Sequence, residues 1–297
     1  MKSILPTNMN HIPVMLEETL ENLNINKAKI FFDGTVGFGG HTEAAAKIND
    51  ECFIIGVDRD LEALKFCEKN LNNLNISLHH NSYENIDLIL DQEKLKDVHA
   101  ILLDLGLSSY QLDNSSRGFS YRDNNALDMR FDSSSSSITA SEIISNYNIN
   151  ELTAIFKEFG EERHSSLIAK KIKERVDENQ INSELIVEVI NSVTPFKYRK
   201  KTYSRIFQAL RIETNNELKH LENFLAKFIN FLTPGGRVVI ISYHSIEDRL
   251  VKQSFKALHR DGKLKIITKK PLIPSDNEIS INSRSRSAKM RIGEKIG

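Results

Sequence analysis

The chain has 297 residues, 40% of them apolar, and balances 40 Lys and Arg against 40 Asp and Glu. That is enough to bury the core of one large domain or two modest ones. No run of about 18 apolar residues and no apolar leader in MKSILPTNMNHIP marks a membrane span or an export signal, so a soluble, cytoplasmic protein with no membrane partner is expected.

The first strand is expected at Ile30 to Asp33, leading into FFDGTVGFGGHTEAA, a glycine-rich turn that runs into a helix opening at His41 and Thr42. Gly34, Gly37, Gly39 and Gly40 let a backbone turn tightly and approach a ligand, and amides at a helix start favour anions. The dinucleotide fingerprint G-x-G-x-x-G is absent, and a tight turn without a ligand is the plain alternative.

A second strand, Phe53 to Asp58, ends 18 residues after Gly40 in a carboxylate suited to a ribose, for NAD or S-adenosylmethionine alike. Asp58 could instead cap the next helix, Leu61 to Leu71, although Asp60 is placed for that task. A third strand region, Ser77 to Tyr83, ends in an aromatic that could lie against adenine or simply be partly buried. A fourth, Ala100 to Leu105, carries Asp104 in ILLDLGLSS. Strand, helix, strand, helix, strand reads as an α/β doubly wound sheet, whose ligands bind beyond the carboxyl ends of the strands. Gly39 to His41, Asp58, Tyr83 and Asp104 would then face one crevice. Cys52 and Cys67, assigned to a strand and a helix, lack zinc-ligand spacing and are expected to be buried, inert thiols; no metal is expected.

The alternation then stops for about 130 residues, too long for a crossover, so an inserted helical domain is expected. Its serine run, Ser133 to Ser137, reads as a flexible connection, followed by the capping pattern Thr139-Ala-Ser-Glu142 and helices at Ile149 to Phe159, Ser165 to Val176 and Ser183 to Val193. Sheet patterning returns at Leu232-Thr-Pro-Gly-Gly236 with a strand at Arg237 to Tyr243. The charge is split: residues 1–194 hold 18 Lys and Arg against 31 Asp and Glu, and residues 195–297 hold 22 against 9. Lys197, Arg199, Lys200 and Lys201, and then Arg284, Arg286, Lys289 and Arg291, are candidates for phosphate contacts, against the bland reading of a solvated charged face.

HIPVMLEE (11–18), DGTVGFGGHT (33–42), GVDRD (56–60), LLDLGLSSYQLD (102–113), RGFSYR (117–122), LDMRFD (127–132), FGEERHS (159–165), FQALRIETNNEL (207–218), ISYHSIEDR (241–249) and SRSAKMR (285–291) together resemble the bacterial RsmH/MraW family. The resemblance runs through nearly the whole chain. It implies a class I S-adenosylmethionine-dependent methyltransferase sheet with an inserted helical substrate domain, divided as residues 1–112, 113–212 and 213–297. It also implies N4-methylation of one cytidine in the decoding region of 16S rRNA, with free rRNA or the small ribosomal subunit as partner; oligomeric state stays open, a homodimer being one option. Cofactor contacts are implied at Gly39, Gly40, His41, Asp58, Tyr83, Asp104 and Gln111. Tyr83 stands where the family usually has phenylalanine and Tyr110 where it usually has proline. YSRI precedes FQALRI where many members have a proline and a threonine, and a cysteine-containing stretch is absent around Leu258 to Lys263.

The N4 lone pair of cytosine is delocalised into its ring, so catalysis depends on positioning and on an acceptor for the N–H that becomes acidic. Asp104 is the candidate catalytic residue, although Leu-Gly-Leu follows it where amino methyltransferases often carry (D/N)PPY, so service to the cofactor is its other reading. His244 and Glu247 either lie near the same crevice or are satisfied polar groups after a strand. Base chemistry requires an unstacked base, gripped by the helical lobe and the basic segments, with stacking from Phe119 or Tyr121. A nicotinamide-dependent dehydrogenase would share the crevice but not the basic tail, and a non-catalytic ribosome-assembly protein would not need the crevice.

Overall fold

A computed structural model describes residues 13–108, 111, 116–122, 125–176 and 181–297. The chain folds as two compact units, Met1–Gly106 with Lys219–Gly297, and Leu107–Leu218. The expected junction at 112/113 lies outside the described residues, and the one at 212/213 falls inside a helix, Arg199–Asn215.

The first unit is a seven-stranded sheet in the order β3-β2-β1-β4-β5-β7-β6. Its strands are β1 (Ile30–Asp33), β2 (Phe53–Asp58), β3 (Ile76–His80), β4 (Val98–Leu105), β5 (Leu232–Ser242), β6 (Leu264–Ile266) and β7 (Lys289–Lys295). The pairs among β1 to β5 are parallel, while β7 runs antiparallel between β5 and β6. Side chains alternate across a strand, so each buried run feeds two layers. Phe32, Ile55, Leu103 and Ile240 pack with Phe224, Phe228 and Phe255 from the helices on one face. Phe31, Ile54, Leu102 and Val239 pack with Leu16, Ala44 and Met290 on the other. Truncating a buried ring such as Phe224 to alanine would cost about 3–5 kcal/mol.

Three details differ from the expected elements. The third strand ends at His80, and Tyr83 opens a 3-10 turn: Asn81 N still donates to the Asp58 carbonyl at 3.0 Å, but Ser82 N turns to the Asn81 side chain at 2.8 Å. β5 begins at Leu232 rather than Arg237, with its pairing to β4 shifted across Val98 and Ala100, where Gly235 has φ 75°. Cys52 lies just before β2 rather than in it.

The helices of the first unit are α1 (Leu16–Asn22), α2 (Gly40–Ile48), α3 (Leu61–Asn70), α4 (Ile86–Gln92), α11 (Ser245–Arg260) and α12 (Asp276–Ile281). The second unit holds α5 (Ala140–Asn146), α6 (Ile149–Glu158), α7 (Ser165–Val176), α8 (Ser183–Val193) and α9 (Arg199–Asn215); α10 (Glu217–Lys227) starts at its end. Thr139 caps α5 in a capping box with Glu142, and Asn148 caps α6 in one with Glu151. These helices bury Ile143, Phe156, Ile172, Ile186 and Leu210 in a core of their own. No helix of the described residues is long and apolar enough to cross a membrane.

The serine run is a hydrogen-bonded turn within this unit, not a loose connection. Asp132 accepts from Ser134 N at 2.9 Å, and Arg130, paired with Asp128, donates to the Ser135 carbonyl at 2.8 Å. Phe119 and Tyr121 are not available as open stacking faces either. Phe119 is buried against Phe131, with ring centroids 5.9 Å apart, and Tyr121 packs on Tyr203 and Phe207.

Candidate functional site

The register of the parallel strands sets the site. Asp33, the last residue of β1, is level with Gly56 on β2 and Leu102 on β4, so Asp58 and Asp104 stand two residues further out on its two flanks. A two-residue step returns a side chain to the same face, which brings three carboxylates to one edge of one face.

The glycine-rich turn is threaded among them. Gly37 N donates to Asp58 Oδ2 at 2.8 Å and Asp60 N to Asp58 Oδ1 at 2.8 Å. Asp60 caps α3 through Glu62 N at 3.0 Å, which frees Asp58 from that task. Asp33 accepts from the Thr42 hydroxyl at 2.8 Å, and Asp104 N donates to the Thr35 hydroxyl at 2.7 Å. The turn is therefore tied to the tips of β1, β2 and β4.

Its glycines answer first to the protein's own packing. Gly39 holds φ 81°, a left-handed conformation, and a Cβ there would stand 2.5 Å from Leu71 Cδ1; a Cβ at Gly40 would overlap the Pro13 ring. His41 is buried with its Nε2 3.1 Å from the Val14 carbonyl, and burial lowers its pKa. At Gly39 to His41, then, it is the backbone that can face a ligand, not the His41 ring.

Burial dominates the electrostatics. It raises the carboxyls of Asp33 and Asp104 to about 6 each, and raises that of Asp58 as well. The Tyr243 hydroxyl, immediately after β5, donates to Asp104 Oδ1 at 2.7 Å and moderates the rise. Tyr243 is itself held well above the ordinary phenol value, by burial first and by the Asp104 charge next. Asp104 Oδ2 has no hydrogen-bond partner among the described residues. Cys67 donates to the Gly37 carbonyl at 3.2 Å with its thiol pushed up to about 12, and Cys52 is pushed up to about 11, so neither is a nucleophile.

Tyr83 backs onto Gly34 and meets Phe224 edge to face at 5.7 Å. Gln111 belongs to the second unit, where it is buried and accepts from Ser108 N at 3.0 Å. Tyr110 lies outside the described residues. His244 and Glu247 form a capping box at the start of α11, and Glu247 also accepts from Tyr243 N at 2.9 Å. They hold the β5–α11 junction, and with it the Tyr243 backbone.

Sequence reasoning misses Tyr243: Asp104 is level with Ile241 on β5, so Tyr243 stands two residues further out, just past the strand, and its place at the end of the expected strand Arg237 to Tyr243 is the signal that points to it. Beyond it opens a cleft of about 290 Å³ lined by Tyr243, His244, Pro274, Ile279, Arg286 and Lys289. Of the basic C-terminal residues, Arg286 is exposed, whereas Arg291 is buried and bonded to Asp248 at 2.7 Å, which removes it from the candidates for phosphate contact.

A parallel sheet with one antiparallel strand, β7, inserted between β5 and the edge strand β6 is the class I methyltransferase arrangement that the resemblance implies. Curated relatives named ribosomal RNA small subunit methyltransferase H match along nearly the whole chain. That of Halothermothrix orenii is 43% identical, covering 97% of this chain and 99% of its own. That of Kosmotoga olearia is 44% identical, covering 97% and 98%. That of Elusimicrobium minutum is 39% identical, covering 97% and 99%. With residues 8–296 matching its family description as well, the chain belongs to the MraW methylase family.

Proposed function

We propose that this chain methylates the exocyclic N4 of a specific cytidine in the decoding region of 16S rRNA, in the cytoplasm, with S-adenosylmethionine as donor. The observation that carries the reading is the row Asp33, Asp58 and Asp104 at one strand edge, joined through Tyr243 to a cleft of nucleobase scale.

The residues suit the donor. The oxygens of Asp58 receive backbone N–H groups of Gly37 and Asp60 and retain acceptor capacity for a ribose. The backbone of Gly39 to His41, the Tyr83 ring and Asp104 complete the contacts assigned to the first unit, and Gln111 is the contact that the resemblance assigns to the second. S-adenosylmethionine, when bound, supplies an electrophilic methyl on a sulfonium sulfur.

The protein's own part is positioning and charge. Asp104 is the assigned catalytic residue: its Oδ2 accepts an amine N–H as the nitrogen acquires positive character, and its raised pKa suits it to take that proton near neutral pH. Tyr243 fixes the carboxyl through Oδ1 and leaves Oδ2 for the amine. Arg286, exposed in the cleft lining, matches a phosphate flanking a splayed-out nucleotide, whereas Lys289 in the same lining is 3.8 Å from Asp248.

The test is methyl transfer from labelled S-adenosylmethionine to small ribosomal subunits lacking the modification, followed by nucleoside analysis. Label in N4-methylcytidine is the expected outcome. Tight cofactor binding with no label on subunits or naked rRNA would overturn the substrate.

A further inference from the structure

The segment from Pro195 to Lys201 in the second unit carries two features that its own packing does not use in full. Phe196 and Tyr198 sit in a 3-10 turn between α8 and α9 and are 84% and 52% exposed, whereas Phe119 and Tyr121 of the same unit are packed. Two neighbouring aromatic rings left in water are an open apolar surface.

The second feature is electrostatic. From Val189 to Ile212 the chain holds six Lys or Arg and no Asp or Glu. Three of these cations, Arg199, Lys200 and Lys201, occupy the first turn of α9, which has no acidic residue. The start of a helix already carries partial positive charge, so cations there are unfavourable for the isolated protein.

One of the three has a structural task. Arg199 donates to the Asn191 and Thr194 carbonyls at 2.9 and 3.0 Å, closing the end of α8, and its guanidinium lies 5.7 Å from the Phe196 ring centroid. The other two do not: Lys200 and Lys201 are exposed and pair with no carboxylate among the described residues. Lys197 stands 4.7 Å from the centre of the Tyr198 ring. Pro195, at φ −55°, stiffens the entry to the turn, so the rings are presented on a short, constrained backbone.

We propose that this turn and the start of α9 form a docking platform for single-stranded RNA: Phe196 and Tyr198 stack with unpaired bases while Lys197, Lys200 and Lys201 take the neighbouring phosphates. An acidic peptide would neutralise the lysines and leave two flat faces unused, whereas an unpaired RNA segment engages both features. The inference deepens the rRNA methyltransferase reading, on which it rests, by assigning RNA affinity to a named surface of the second unit.

The experiment uses the full chain and fluorescence anisotropy with a labelled single-stranded RNA of about 10 nucleotides, and a duplex of equal length as comparison. Phe196→Ala with Tyr198→Ala weakens single-strand binding by about 10-fold or more while leaving the melting temperature and S-adenosylmethionine binding unchanged. Lys200→Ala with Lys201→Ala lowers the slope of log affinity against log salt by about 1.4, two phosphates' worth for a single strand. Methyl transfer by the ring variant shows a raised KM for RNA and an unchanged kcat. Wild-type affinity in the ring variant, or a wild-type protein that binds duplex as well as single strand, overturns the platform. A chain that binds RNA through these rings but methylates no small-subunit RNA overturns the functional reading and leaves the platform standing.

Discussion

Replacing Asp104 with asparagine is expected to make the folded protein more stable while abolishing methyl transfer. Burial raises this carboxyl from an ordinary 3.8 to about 6. A tenfold change in proton affinity corresponds to about 1.4 kcal/mol, so above pH 6 the ionised Asp104 costs the folded state about 3 kcal/mol relative to the unfolded chain. The sign follows from the direction of the shift. The native state holds this proton more tightly than the unfolded state, so the group's favourable contribution is complete below 3.8 and is lost as pH rises through about 6. Asparagine removes the charge yet keeps an oxygen to accept from Tyr243. It also relieves Asp33, whose own rise to about 6 includes a contribution from the Asp104 charge. Urea unfolding should show the variant more stable than wild type by about 3 kcal/mol near pH 7.5, equivalent to a melting-temperature gain of at least about 5 °C, with the gain vanishing near pH 4. A variant no more stable than wild type at neutral pH, or one equally stabilised at both pH values, would refute the electrostatic account. Retained methyl transfer would remove Asp104 from the catalytic role.

Tyr243→Phe deletes the hydroxyl that lowers the Asp104 pKa, so the acidic limb of the kcat/KM profile should move upward from about 6; a superimposable profile would show that the limb belongs to another group. Gly39→Ala forces a Cβ into the left-handed region and against Leu71, and thermal melts should register a loss of about 3 kcal/mol. Thr139→Ala removes the capping box of α5 and should cost about 1 kcal/mol in chemical unfolding without changing cofactor affinity. Arg284→Ala with Arg286→Ala should weaken RNA binding and flatten its log–log salt dependence by about 1.4; an unchanged slope across a salt titration would remove this turn from the RNA surface.

Local patterns determined much of this protein. IFFD and FIIGVD appear as strands at the residues where apolar, β-branched and aromatic side chains cluster, because a strand buried on both faces needs little beyond that continuity. The cap at Asp60 and the capping box at Thr139 depend on residues two or three apart, and both are legible in a short window. Carboxylates at the ends of three apolar runs likewise place themselves once the runs are taken as parallel neighbours. What tertiary structure alone decided involves partners far apart in the chain. The antiparallel β7, lodged between β5 and β6, is set by long-range pairings that no local pattern identifies. Tyr243 reaches Asp104 across 139 residues, and the shift of that carboxyl to about 6 comes from how deeply the fold buries it. Phe119 and Phe196 are the same residue type in similarly aromatic, basic surroundings, yet one is buried against Phe131 and the other is left in solvent. Burial is a property of the whole packed assembly of side chains, so the identity of a residue and its near neighbours does not determine it.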